Sequence, residues 1–235
     1  MLQRIMVTGA ARSGTTILGR MLSLSPGIIY LLEPFNRHNW AGIPDYYPYI
    51  GESTSKNKRE FYEELIKRVI HLRNRDLRLQ NASDTGWRKI IKRIGINRLY
   101  LQYRFAQVRK IVSNPKGVLI KDPSALFLSE FLANHYNFKV VFTVRHPAAI
   151  MVSRKSLGWS FDFDCWRDDS ELYRDIFKDI ECLMNDYEID FVAEVAFQWL
   201  TQYQYVYQAS RYADNVRVVR HEDWCIDPVP ELRSL

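Results

Sequence analysis

A chain of 235 residues that is 47% hydrophobic and 14% aromatic can bury one sizeable core, and nothing in its composition marks disorder or repeats. No run approaches the roughly 18 consecutive apolar residues of a membrane span, and Cys165, Cys182 and Cys225 lack the close pairing of a zinc or redox motif, so the expectation is one cytoplasmic domain, 1–235, with reduced thiols. The net charge of +6 is uneven: Lys56 to Lys121 carries 18 basic against 5 acidic residues, whereas Phe161 to Glu194 carries 3 against 12. A basic segment of that kind is suited to face something anionic.

In chain order, Arg4 to Thr8 is the first compact apolar run of the sort that parallel sheets bury on both faces. It leads into GAARSGTT, Gly9 to Thr16, and a helical pattern that ends at the stop signal Ser25-Pro26-Gly27. Ile28 to Leu32 follows as a second strand ending at Glu33, and a βαβ unit predicts that it lies beside the first strand and brings Glu33 to the loop. The segment from Lys56 then shows Phe61, Leu65, Val69 and Leu72 at helical spacing, and a second amphipathic pattern begins at Trp87. Together they predict a basic helical insertion over about 56–116.

Val118 to Lys121, Val140 to Val144 and Val216 to Val219 complete five strands, separated by helical patterns that include Asp168 to Gln208. This alternation predicts a three-layer, P-loop-like α/β domain around a central parallel sheet. Such sheets bind ligands outside the carboxyl ends of their strands, where this sequence places Gly9 to Thr16, Glu33, Lys121-Asp122-Pro123, Arg145-His146-Pro147 and Arg220-His221-Glu222-Asp223.

GAARSGTT has the G-x-x-x-x-G-x-[ST] spacing of a phosphate loop, in which glycines let backbone N–H groups converge on an anion at a helix N-terminus. Thr15 stands where a nucleotide triphosphatase has its lysine, and the nearest cation is Arg12. That pattern favours a phosphate-like group held without magnesium. Farther on, Pro147 suits the first turn of a helix, which leaves Arg145 at the strand end and Ser153 on the helix, a pair able to hold a second phosphate.

GAARSGTT together with VRHPAAIMVSRK resembles the sulfotransferases that use 3′-phosphoadenosine 5′-phosphosulfate (PAPS), and the similarity extends to LLEPFN, LIKDP, FQWLTQYQYVY and VRHEDWCIDPVPELRSL. The resemblance implies that Arg12, Ser13, Gly14, Thr15 and Thr16 hold the 5′-phosphosulfate and that Arg145 and Ser153 hold the 3′-phosphate. It also implies in-line sulfuryl transfer without a metal to an acceptor hydroxyl, with Arg12 steadying the leaving oxygen. Glu33 is the expected base, with His38, His146 and Glu222 in reserve. Arginine at position 12 resembles the carbohydrate-directed and bacterial members, which points to a saccharide or glycolipid acceptor. Similar enzymes continue past DPVPELRSL into a segment that closes over the nucleotide, so the resemblance implies a fragment, a short variant or an inactive relative. Two other readings stand beside this one: a P-loop kinase or triphosphatase, which the missing lysine opposes, and a non-catalytic nucleotide- or polyanion-binding module stacking bases on Tyr100, Tyr103 and Phe105. No nucleic acid is expected as a partner on the first reading.

Overall fold

The computed structural model describes residues 2–39, 42–71, 114–212 and 214–233. All five predicted strands form, as β1 (Gln3–Gly9), β2 (Ile28–Leu32), β3 (Gly117–Lys121), β4 (Lys139–Val144) and β5 (Val216–Arg220). They make one all-parallel sheet in the order β2-β3-β1-β4-β5. The expected adjacency of the first two strands is therefore corrected: β3 lies between β1 and β2, with Val7 opposite Lys121 and Lys121 opposite Leu32. From β1 the chain passes over β3 to reach β2, and from β3 it passes over β1 to β4. This reversal puts the switch point of the sheet at the carboxyl end of β1.

Alternate residues of the strands feed two apolar layers. Val7, Leu119, Val141 and Val219 pack with Leu18 and Trp224 on one face, under helices α1 (Thr15–Leu22), α6 (His221–Ile226) and α7 (Pro228–Arg233). Met6, Val118, Ile120 and Phe142 build the larger core on the other face. Over it lie α2 (Lys56–Ile70), α3 (Ser129–Tyr136), α4 (Pro147–Lys155) and the long α5 (Phe191–Tyr212). The sheet between helical layers is the three-layer α/β architecture expected from the alternation of strand and helix.

Two helical expectations change in detail. On α2 it is Tyr62, Leu65, Ile66, Val69 and Ile70 that are buried, whereas Phe61 is exposed, so the buried stripe is turned from the predicted one. The stretch predicted as helical from Asp168 to Gln208 is helical from Ser170 to Met184, with a π-helical turn at Tyr173–Phe177, and again in α5, and it is interrupted between them at residues 185–190. The second basic pattern, with Tyr100, Tyr103 and Phe105, lies outside the described residues, as does Leu72.

Candidate active site

Gly9 closes β1 with φ +149°, and a Cβ there would lie 2.4 Å from the Thr143 carbonyl oxygen of β4, so glycine lets the loop fold flat against the neighbouring strand. Beneath the loop the Ser13 hydroxyl turns inward to pair with that of Thr143 at 2.7 Å, and the Ser13 N–H donates to the Ala10 carbonyl at 3.1 Å. Tyr203 of α5 donates its hydroxyl proton to the Thr143 carbonyl at 2.8 Å and accepts from the Ala10 N–H at 3.3 Å. These groups are buried, so Ser13 fastens the loop from below.

Above them, Gly14 caps α1 in the left-handed region, φ +93°, and no side chain caps the helix. The N–H groups of Thr15 and Thr16 thus have no intrahelical acceptor and carry the positive end of the helix dipole, whereas the Ile17 N–H donates to the Gly14 carbonyl. His221 packs directly on Gly14, where a Cβ would sit 2.4 Å from Nδ1. Burial, and then the Arg145 guanidinium, push the His221 imidazole below its usual range. Its Nδ1 is buried with no hydrogen-bond partner.

Arg12 also has a left-handed backbone, φ +73°. Its carbonyl accepts from Arg145 Nη1 at 2.9 Å, and its own Nε donates to Ser153 Oγ at 2.8 Å. The two predicted phosphate motifs are thereby joined through Arg12. Arg145 Nε remains buried and unpartnered. The Arg12 guanidinium lies 5.8 Å from the ring centre of Trp159, which is 48% exposed.

A cleft of about 410 Å³ opens here, within the size range of small-molecule sites. Its walls carry the loop residues Arg12, Gly14, Thr15 and Thr16, Arg20 of α1, the strand-end residues Glu33, Lys121 and Arg145, and Trp159. Glu33 reaches it from beyond β3 rather than from a strand beside β1. Its N–H donates to the Lys121 carbonyl at 2.8 Å, extending the β2–β3 pairing, and φ then turns to +49°. The carboxylate accepts from Lys121 Nζ at 2.5 Å, Asn36 Nδ2 at 2.9 Å and Asn39 Nδ2 at 3.0 Å.

Asp122, fully buried next to Lys121, accepts from the Phe35 N–H at 2.7 Å and the Ser124 N–H at 3.0 Å and so shapes the turn that carries Glu33. Desolvation, with the charge of Glu33 adding to it, pushes its carboxyl up to about 7.

Of the predicted residues, Arg12, Gly14, Thr15, Thr16, Glu33 and Arg145 meet in the cleft, with Ser153 bonded to Arg12 behind it. The reserves do not line it. His146 caps α4, its Nδ1 accepting from the Ala148 N–H, while Glu222 accepts from the His146 N–H. His38 lies against Tyr46. Lys121 and Asp122 were visible as strand-end residues without a stated role. Arg20 and Trp159 were not singled out, though Thr16 and Arg20 are four apart on one helix face. Among the described residues no group of three or more metal-ligating side chains occurs.

A helix N-terminus, four cations and one carboxylate in one cleft can bind a substrate with several anionic groups and accept a proton beside it. Residues 4–235 match the family model described as Sulfotransferase family. Among solved structures, the chain is similar to a sulfotransferase from Alicyclobacillus acidocaldarius, with 16% identity and a TM-score of 0.47 over 100% of this chain and 79% of that one. It is also similar to the sulfotransferase STF1 of Mycobacterium tuberculosis H37Rv, with 20% identity and a TM-score of 0.46 over 100% of this chain and 66% of that one. No curated protein sequence matches it. No helix among the described residues is long and apolar enough to cross a membrane. With a match that runs from β1 through the last described helix, the chain belongs to the sulfotransferase family.

Proposed function

We propose that the cleft binds PAPS and that the protein transfers its sulfuryl group to a hydroxyl of a carbohydrate or glycolipid. The observation that carries this reading is the junction at Arg12. Residues nominated for the two ends of a nucleotide bisphosphate, far apart in sequence, are hydrogen-bonded to one another through Arg12, Arg145 and Ser153. The buried, unpartnered Arg145 Nε and the uncapped N-terminus of α1 are further donors that an anion would satisfy.

On this reading the first-turn N–H groups of α1, with the Thr15 and Thr16 hydroxyls and Arg12, hold the 5′-phosphosulfate, and Ser13 supports the loop. Arg145 and Ser153 hold the 3′-phosphate. The donor supplies an activated sulfur whose bond to the bridging phosphate oxygen breaks as the acceptor oxygen bonds to it. Arg12 balances the charge that develops on the bridging oxygen. Glu33 takes the acceptor proton. To do so it must give up a hydrogen bond, and Lys121 is the partner placed to leave, since sulfuryl oxygens in the cleft offer its ammonium another anion. Trp159 offers an exposed aromatic face at the mouth, against which the apolar face of a sugar can lie.

Calorimetric titration with adenosine 3′,5′-bisphosphate, ADP and ATP, each with and without magnesium, tests the donor site. The bisphosphate should bind without metal at least tenfold more tightly than ADP, and Arg145→Ala and Ser153→Ala should each erode that preference. Equal affinity for the two diphosphates, or tight binding only of ATP with magnesium, would overturn the reading.

A further inference from the structure

The cleft holds more cationic charge than the proposed donor and base use. Arg12 and Arg145 are joined at the phosphate motifs, and Lys121 is paired with Glu33. Arg20 is the remaining cation on its wall. It projects from α1 one turn beyond Thr16 and lines the same cleft as Glu33 and Lys121, and its side chain makes no hydrogen bond or ion pair with any described residue. Next to it in the fold is Tyr30 of β2, whose hydroxyl is buried without a hydrogen-bond partner and feels the Arg20 charge. An exposed arginine on a helix ordinarily needs no ligand. Here it forms part of a concave wall that also carries the candidate base, and it has an unsatisfied hydroxyl behind it.

We infer that Arg20 binds an anionic group of the acceptor, a carboxylate or a sulfate ester, so that the substrates of this site are acidic saccharides rather than neutral ones. This rests on the reading of Glu33 as the acceptor-side base. A planar guanidinium matches a carboxylate or sulfate with two parallel hydrogen bonds, and such an anchor near Glu33 would orient one hydroxyl of the ring toward the carboxylate.

The test compares p-nitrophenyl β-glucuronide, p-nitrophenyl β-glucoside 6-sulfate and the uncharged p-nitrophenyl β-glucoside, titrated into protein saturated with adenosine 3′,5′-bisphosphate. One or both anionic glycosides should bind at least tenfold more tightly than the neutral one, and their order tells carboxylate from sulfate ester. Arg20→Gln should abolish the preference and Arg20→Lys should retain part of it, both with unchanged affinity for the bisphosphate. Equal binding of all three glycosides, binding of none, or a preference that survives Arg20→Gln overturns the inference. So does loss of bisphosphate affinity in Arg20→Gln, which would assign the arginine to the donor. Failure of the wild type to bind the bisphosphate strikes the donor reading instead, and the same glycoside comparison on the protein alone then still reports on Arg20.

Discussion

At the scale of single residues, the backbone marks the same two positions that the chemistry does. Four described residues other than glycine have positive φ; two are Asn114 and Asn137, a residue type that visits this region readily, and the others are Arg12 and Glu33. For a side chain with a Cβ, the left-handed region costs on the order of 1–2 kcal/mol, and it persists only where surrounding contacts over-determine it. At Arg12 those contacts are the hydrogen bonds from Arg145 to its carbonyl and from its own Nε to Ser153. At Glu33 they are Lys121, Asn36 and Asn39 on the carboxylate and the bond from its N–H to the Lys121 carbonyl. The strain is spent on aiming both side chains into one cleft. Glu33→Gln keeps the shape but removes the proton acceptor, so turnover should fall by a factor of about 10²–10⁴ while the affinity for adenosine 3′,5′-bisphosphate stays within twofold. Steady-state rates and calorimetry on the same preparation check both halves, and normal turnover would remove Glu33 as the base.

Among the elements, the strands were legible because each is a short β-branched run with polar residues at its carboxyl end, a pattern that depends only on local sequence. Their order was not. Whether β2 lies beside β1 depends on how the intervening chain packs, and β3, some eighty-five residues farther on, takes the middle place. The site was still largely legible, since parallel strands end on the same edge whatever their order: Leu32 and Lys121 are in register, so Glu33 and Asp122 emerge together. Contacts such as His221 on Gly14, or Ser13 with Thr143, have no local signature. Asp122 is the clearest case of a role that only packing reveals. Its carboxyl is raised from 3.8 to about 7 by burial, an acid whose folded value lies above its unfolded one. It therefore contributes stability that is fully present below pH 3.8 and is lost as pH rises through about 7. Between pH 5 and 8, denaturant unfolding should show wild type losing about 3 kcal/mol relative to Asp122→Asn, which cannot titrate. The variant itself starts lower by about 1–3 kcal/mol, because an amide nitrogen faces one of the two N–H groups that the carboxylate accepts from. Parallel pH profiles for the two proteins would contradict the raised value.

Across the whole molecule, α5 acts as a strut beneath both of the predicted phosphate motifs. Tyr203 holds the Ala10 N–H and the Thr143 carbonyl, Trp199 donates to the Arg145 carbonyl at 2.9 Å, and Glu194 and Gln198 receive the guanidinium of Arg154 from α4. Two neighbours on α4 thus serve opposite ends of the design: Ser153 turns to Arg12, whereas Arg154, 4% exposed, runs into the core. Removing the cation leaves the largely covered Glu194 carboxylate with only the Phe161 N–H as a donor, a loss of about 3 kcal/mol. In a chain of this length that corresponds to a melting temperature lower by on the order of 10 °C. Arg154→Ala should therefore melt early and bind adenosine 3′,5′-bisphosphate weakly once α4 loosens. Ser153→Ala should melt with wild type and lose only affinity for the 3′-phosphate ligand. Arg154→Met combined with Glu194→Leu should regain much of the melting temperature, because apolar groups of similar volume replace the buried pair without leaving a charge behind. If recovery of stability also restores nucleotide affinity, α5 supports the site through packing alone. If stability returns and affinity does not, the ion pair itself sets the position of Ser153 against Arg12.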